Sequence, residues 1–168
     1  MAKPHTPSHT KPNALHIRLA VPADVPRIFD IRTSVHDNHL GLDALAELGI
    51  TPAAVLEQIE HNANTWVAEL EARVQGFAMV DAAEGWLFAL FVDPLCAGQG
   101  IGSTLLSIAE SSLFQHHQCI RLETAVNSPA ARFYMRRGWV RSNTAPAKSA
   151  PEDAIFTKNA PIPPFAGA

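Results

Sequence analysis

The chain has 168 residues, 47% of them hydrophobic, and a formal net charge of −3 from 13 Lys and Arg against 16 Asp and Glu. A chain of that length buries about two-thirds of its unfolded surface in one core, so a single domain is the natural count. The charge balance offers no basic field for nucleic acid, and no run approaches the ~18 uninterrupted apolar residues of a membrane span, so neither is an expected partner.

The first residues, Met1 to Thr10, are polar and Pro-rich with no apolar stretch suited to a signal peptide, which points to a cytoplasmic protein. Its two cysteines, Cys96 and Cys119, are then not expected to pair, and alone they cannot build a structural zinc site. Residues 1–14 read as a disordered tail, 15–159 as one domain and 160–168 as a second tail.

Leu15 to Ala20 reads as a strand. A helix follows, with Asp24 in its opening turn and Val25, Ile28, Phe29 and Val35 at helical spacing, and Thr51-Pro52 starts another that puts Val55, Leu56 and Ile59 on one face. Three strands then form a meander, Thr65–Leu70, Val74–Asp81 and Trp86–Val92, with turns near Glu71-Ala72-Arg73 and Ala82-Ala83-Glu84-Gly85. The third is apolar throughout, which predicts a central strand covered on both faces. A helix from about Gly100 to His116 carries Leu105, Ile108, Ala109 and Leu113 on one stripe. After it come a strand from Cys119 to Val126 and a short helix. In that helix Ser128 suits the N-cap, Pro129 the first position, Arg136 and Arg137 the negative end, and Gly138 a left-handed stop. Trp139–Ser142 and Ala154–Lys158 close the fold, joined by a polar loop with Pro146 and Pro151.

The most informative run is Val92-Asp93-Pro94-Leu95-Cys96-Ala97-Gly98-Gln99-Gly100-Ile101-Gly102-Ser103, a strand entering a glycine-rich turn that opens a helix. Gly98, Gly100 and Gly102 can take positive φ and admit a ligand close to the main chain, and the unpaired N–H groups of a helix start favour an anion. A phosphorylated ligand is expected there. No Lys precedes Ser103-Thr104, which excludes a P-loop, and the glycine spacing and mid-chain position exclude a dinucleotide fingerprint.

This run and Asn127-Ser128-Pro129-Ala130-Ala131-Arg132-Phe133-Tyr134-Met135-Arg136-Arg137-Gly138-Trp139 together resemble the GNAT superfamily of N-acetyltransferases. That family's pattern is Val-x-Pro, then Arg/Gln-x-x-Gly-x-Gly/Ala, a small residue with Leu-Leu, and later Asn-x-x-Ala-x-x-Phe/Leu-Tyr-x-x-x-Gly-Phe/Trp. The chain departs from it at Ala97, where Arg or Gln is usual, so one charge-assisted bond to phosphate is missing and the backbone carries the binding.

The resemblance implies an α/β fold with a mixed, mainly antiparallel twisted sheet, helices on both faces, and a V-shaped splay between the strands ending near Val92 and Ala125. Acetyl-CoA would lie in the splay as acyl donor, with backbone groups of Phe91 and Val92 on its pantetheine amides, Gly98, Gln99, Gly100, Ile101, Gly102 and Ser103 around the pyrophosphate, and Asn127 on the cofactor arm. Tyr134, the one tyrosine of the chain, would protonate the departing thiolate. The implied reaction is acetyl transfer to a primary amine of a small molecule or peptide by direct attack on the thioester. Transfer of another short acyl group and a non-catalytic acyl-CoA sensor are the alternatives, and a homodimer is left open.

No titratable group occurs in Trp86–Val92, so the general base is sought elsewhere, at Glu123, at Glu84, in the cluster His36-Asp37-Asn38-His39, or equally in a water chain to solvent. The same cluster is the expected acceptor wall, where Asp37 could hold an ammonium and His36 or His39 take its proton. His36 and His39 lack further ligands, and no metal is expected.

Overall fold

The computed structural model describes residues 14–37, 39–144 and 153–162. Asn38, Pro146, Pro151, residues 1–13 of the expected N-terminal tail and residues 163–168 lie outside them.

Strands β1 (His16–Leu19), β2 (Thr65–Leu70), β3 (Arg73–Asp81), β4 (Trp86–Val92), β5 (Cys119–Ala125), β6 (Val140–Arg141) and β7 (Asp153–Asn159) form one sheet. The order is β1-β2-β3-β4-β5-β7-β6, and every pairing is antiparallel except that of β4 with β5. Helices α1 (Val25–Ser34), α2 (Leu42–Glu47) and α3 (Pro52–His61) cover one face, and α4 (Ile101–Leu113) and α5 (Pro129–Met135) the other. The sheet therefore separates two cores.

One core joins Ile28, Ile31, Leu45, Val67 and Phe77 under α1 to α3; the second joins Leu105, Leu106, Ile120, Leu122, Trp139 and Phe156 under α4 and α5. Alternation on β5 assigns its residues cleanly: Ile120 and Leu122 are buried toward α4, while Arg121 and Glu123 turn the other way. Glu110 of α4 binds this second core together, accepting from Trp139 Nε1 and from Lys158 Nζ on β7, both at 2.7 Å.

Local signals place most elements where sequence patterning puts them. Thr51 accepts from Ala54 N–H to start α3, and Ser128 accepts from Ala131 N–H to start α5 with Pro129 at its first position. Gly138 stops α5 at φ +85°. Helix α2 was not expected; it is six residues long and held by Leu45, which is fully buried. The β2–β3 turn puts Glu71 and Ala72 at φ 53° and 57°, a left-handed pair that no glycine announces.

The expectation that β4 is covered on both faces is corrected. It is central in strand order, yet Phe88 is 52% exposed and residues 89–92 are only partly buried. The register explains this: Met79 opposes Ala89 but Val80 opposes Leu87, so Phe88 is an extra residue that bulges from the ladder. A bulge bends and twists its strand. Pairing of β4 with β5 is confined to Trp86 opposite Arg121, whereas β5 follows β7 over its whole length. Beyond that single pair the two parallel strands separate.

Candidate active site

The gap between β4 and β5 has polar edges. Asp93 N–H donates to Gln75 O at 2.7 Å, and Val92 opposes Gly76, Phe91 opposes Phe77 and Leu90 opposes Ala78. In an antiparallel ladder the bonded and non-bonded pairs alternate, so Phe91 spends its main-chain groups on β3 while Leu90 and Val92 present theirs to the gap. The sequence expectation of Phe91 and Val92 is thereby corrected to Leu90 and Val92. Phe91 contributes its ring instead, which lines a cavity on the α1 face.

The glycine turn lies at the open end of the gap. Gly98 and Gly100 stand at φ +79° and +81°, and α4 begins on Gly100 with no side chain capping it. The N–H groups of Gly98 through Ser103 meet no acceptor among the described residues. Gly102, in contrast, is helical. A Cβ there would lie 3.6 Å from both Phe133 and Val92, an ordinary van der Waals contact, so a small side chain would fit at this position and it does not shape the turn.

The turn is fixed from below by Asp93, which is 7% exposed. Its carboxylate accepts from Leu95 N–H at 2.9 Å and from Arg27 Nη2 of α1 at 2.5 Å, and Arg27 Nε reaches Val74 O at 2.9 Å. Burial pushes the Asp93 carboxyl up, but the Arg27 and Leu95 bonds outweigh it and hold it below its ordinary value.

Arg137 was expected at the negative end of α5. Its Nη2 instead bonds Ser103 Oγ in the first turn of α4, with the guanidinium stacked 4.0 Å over the Phe133 ring. A cation thus stands at the first turn of α4, its positive end. Sequence spacing does not show this placement, since residues 103 and 137 meet only because α4 and α5 share a face.

Tyr134 is 7% exposed and packs edge-on against Phe133 and Trp139. Its hydroxyl makes no hydrogen bond among the described residues and is not an orphaned buried atom, so it opens onto accessible space. Burial pushes its phenol above the ordinary value of 10.0, so it is protonated at neutral pH. Asn127, in the turn between β5 and α5, is exposed; its carbonyl accepts from Arg132 Nη1 at 3.0 Å.

On the opposite face, a cavity of about 430 Å³ lies between α1 and the sheet, at the gap. Its walls are mostly apolar, among them Phe29, Leu40, Ile50, Phe77 and Phe91, with Arg32, Glu123 and Asp153 as its charged members. Burial and the charge of Asp153 raise the Glu123 carboxyl above its ordinary 4.5. The two belong to one face of the β5–β7 pair, since Glu123 opposes Ile155 and Ala125 opposes Asp153. Tyr134 belongs to the other core, so acid and carboxylate approach the gap from opposite faces of the sheet.

The other sequence candidates fall outside this cavity. Glu84 lies in the β3–β4 turn at the closed end of the gap, with a 68% exposed side chain 3.8 Å from Arg121. His36, Asp37 and His39 are exposed, and His39 Nδ1 lies 3.1 Å from Val35 O. The wall expected from them is formed by their neighbours Arg32 and Leu40, because α1 ends at Ser34 and the chain turns outward before returning at Leu40. Asn38 is outside the described residues. A polar hollow of about 510 Å³ between α3 and the β3–β4 turn also lies at the closed end and has no link to the glycine turn.

The site is thus a split in the sheet of an α/β protein, with a glycine turn at its mouth and a cavity behind it. Residues 61–141 match the model of the acetyltransferase (GNAT) domain. An uncharacterized N-acetyltransferase of Methanocaldococcus jannaschii is 39% identical over 79 residues, 44% of this chain and 51% of that protein, so the match spans about half the curated relative. Among solved structures, PaiA N-acetyltransferase from Thermoplasma acidophilum in complex with coenzyme A superposes with TM-score 0.70 at 18% identity, covering 88% of this chain and 99% of that one. YncA from Salmonella typhimurium with its cofactor acetyl-CoA gives 0.67 at 17% identity, over 92% and 99%. The seven-stranded sheet with its parallel break is therefore the GNAT fold. Among the described residues no helix is long and apolar enough to cross a membrane, and Cys96 and Cys119 are free.

Proposed function

We propose that the protein is an acetyl-CoA-dependent N-acetyltransferase acting on a primary amine. The observation that carries this reading is the continuity of the gap: free N–H groups at Gly98–Ser103, then the inward-facing main chain of Val92 and Leu90, then the cavity edged by Glu123. The residues fit the donor in order. The turn and Arg137 take the pyrophosphate, Val92 and Leu90 pair with the pantetheine amides, and Asn127 borders the arm.

The chemistry asks little more of the chain. Glu123 takes a proton from the ammonium, the neutral amine attacks the thioester carbonyl, and a main-chain N–H on β4 holds the oxyanion. As the carbon–sulfur bond breaks, Tyr134 gives its proton to the thiolate. Ala97 alone favours a non-catalytic acyl-CoA sensor, whereas Arg137 at the first turn of α4 offers a cation from another element and supports the enzyme reading.

Thermal shift with CoA and acetyl-CoA, followed by an amine panel scored by released thiol, tests the reading. Acetyl-CoA should raise the melting temperature, and at least one amine should release thiol at a rate above background hydrolysis. A folded protein unmoved by either ligand would rule it out.

A further inference from the structure

The polar hollow between α3 and the β3–β4 turn adjoins the cavity edged by Glu123. Phe88 lines both, and α3 borders both, through Val55 on the cavity and through Ala54, Glu57 and Gln58 on the hollow. Two residues on from the pair Trp86–Arg121, Phe88 and Glu123 stand level across the gap, while Asp81 of the hollow opposes Trp86. The hollow therefore lies about 7 Å of strand further toward the closed end than Glu123. The bulge in β4 thus sets an aromatic side chain, 52% exposed, in the wall between two cavities on one face of the sheet.

Resting on the acetyltransferase reading above, we infer that the acceptor is the free N-terminus of a peptide: its ammonium meets Glu123, its first side chain enters the apolar cavity, its main chain crosses Phe88, and its third and fourth residues lie in the hollow. An acceptor confined to the cavity of about 430 Å³ would leave Phe88 and the adjoining 510 Å³ unused. Gln58, Asn62 and Asn64 line the hollow with carboxamides, which donate and accept at once, as a peptide main chain requires and a hydrocarbon amine does not. Gln58 Nε2 donates to Asn64 Oδ1 at 3.4 Å, which uses one of its two amide hydrogens. Charge sets a preference among peptides. Glu57 and Asp81 are the acidic members of the hollow, no Lys or Arg lines it among the described residues, and the last turn of α3 brings the negative end of that helix beside it. His61, the remaining titratable group there, has Nδ1 2.8 Å from Glu57 O. A basic third or fourth residue is therefore favoured over an acidic one.

A length series with acetyl-CoA tests this, using 3-methylbutylamine, leucine amide, leucyl-glycine amide and two tetrapeptide amides that begin leucyl-glycine and end in two lysines or two glutamates. The value of kcat/KM should rise along the series, with the lysine tetrapeptide about tenfold or more above leucine amide and above the glutamate tetrapeptide, chiefly through KM. Glu57→Lys, an exposed change on α3, should narrow or reverse the ratio between the two tetrapeptides. Phe88→Ala should shrink the advantage of the lysine tetrapeptide over leucine amide, and Phe88→Tyr should retain it. Should any variant fail to fold, the wild-type series still decides. A lysine tetrapeptide no better than leucine amide, a plain amine outranking it, a charge ratio that Glu57→Lys leaves in place, or acetyl-CoA binding with turnover of none of these acceptors would each overturn the inference while leaving the donor site standing. Failure of acetyl-CoA to bind would instead remove the reading beneath it.

Discussion

Arg27 on α1 and Asp93 after β4 form a 2.5 Å ion pair across 66 residues of sequence, and this pair sets where the glycine turn begins. Asp93 also caps the turn through Leu95 N–H, so one carboxylate joins the helix layer, the end of the central strand and the phosphate turn. Asp93→Ala removes the pair and the cap together and leaves Arg27 three-quarters or more buried without its partner. The expected loss is about 2–4 kcal/mol in urea unfolding. Arg27→Met in the Asp93→Ala background should cost less than the two changes added, because the stranded cation is then gone.

Acid should weaken the fold through the same kind of contact. Burial pushes Asp24 up, but bonds from Arg18 and Val21 N–H outweigh it, and Asp93 behaves likewise with Arg27. Both folded carboxyls lie below the ordinary 3.8, so the unfolded state binds protons first as pH falls. Their stabilisation is complete above that value and is lost below it, down through the folded values. Urea midpoints measured from pH 7 to pH 3 should fall steeply only at the acid end, and Asp24→Asn should flatten that fall while lowering the plateau.

Patterning on one segment was enough for most of the fold and not for the acceptor site. The cap at Ser128, the stop at Gly138 and the strand Trp86–Val92 are local signals, and they stand where the residues put them. The bulge at Phe88 is not local: an apolar run reads alike whether or not one residue slips from the ladder, and only the partner strand reveals it. The slip decides that Leu90 rather than Phe91 faces the gap. Arg32 was hidden for another reason. A charged residue inside α1 reads as a solvated face, and its burial depends on Phe91, distant in sequence. His36, Asp37 and His39 looked functional because polar residues crowd a helix end, which is also what an exposed helix end requires.

At the phosphate turn, Gly100→Asp should abolish stabilisation by CoA. A Cβ at Gly100 meets nothing within 4 Å, so the change strains only a backbone at φ +81° and brings a like charge to the anion site. Arg137→Gln should weaken CoA binding about tenfold, near 1.4 kcal/mol, and Ala97→Arg in that background should restore most of it. Titration calorimetry with CoA checks all three variants. No change on Arg137→Gln would return that side chain to a packing role over Phe133.

Tyr134→Phe separates chemistry from stability. The hydroxyl makes no bond among the described residues, so removing it should move the melting temperature little. The ring contacts with Phe133 and Trp139 remain. Turnover should nonetheless fall by about 10²-fold with acetyl-CoA affinity unchanged, the range expected of a lost general acid. Equal turnover would mean that the thiolate leaves without it.

With Glu123 as the proposed base, Glu123 and Asp153 together should set the acid limb of the reaction. Burial first, and then the charge of Asp153, raises the Glu123 carboxyl above 4.5, which makes it a better proton acceptor and keeps it ionised only above that raised value. The rate should therefore fall as pH drops through it. Removing the second carboxylate charge relieves the repulsion, so Asp153→Asn should shift the acid limb of kcat/KM to lower pH and weaken ammonium binding. Glu123→Gln should abolish that limb and lower kcat by about 10²-fold with acetyl-CoA binding intact. A limb that stays in place in both variants would assign proton removal to water, and leave these carboxylates with the binding of the ammonium alone.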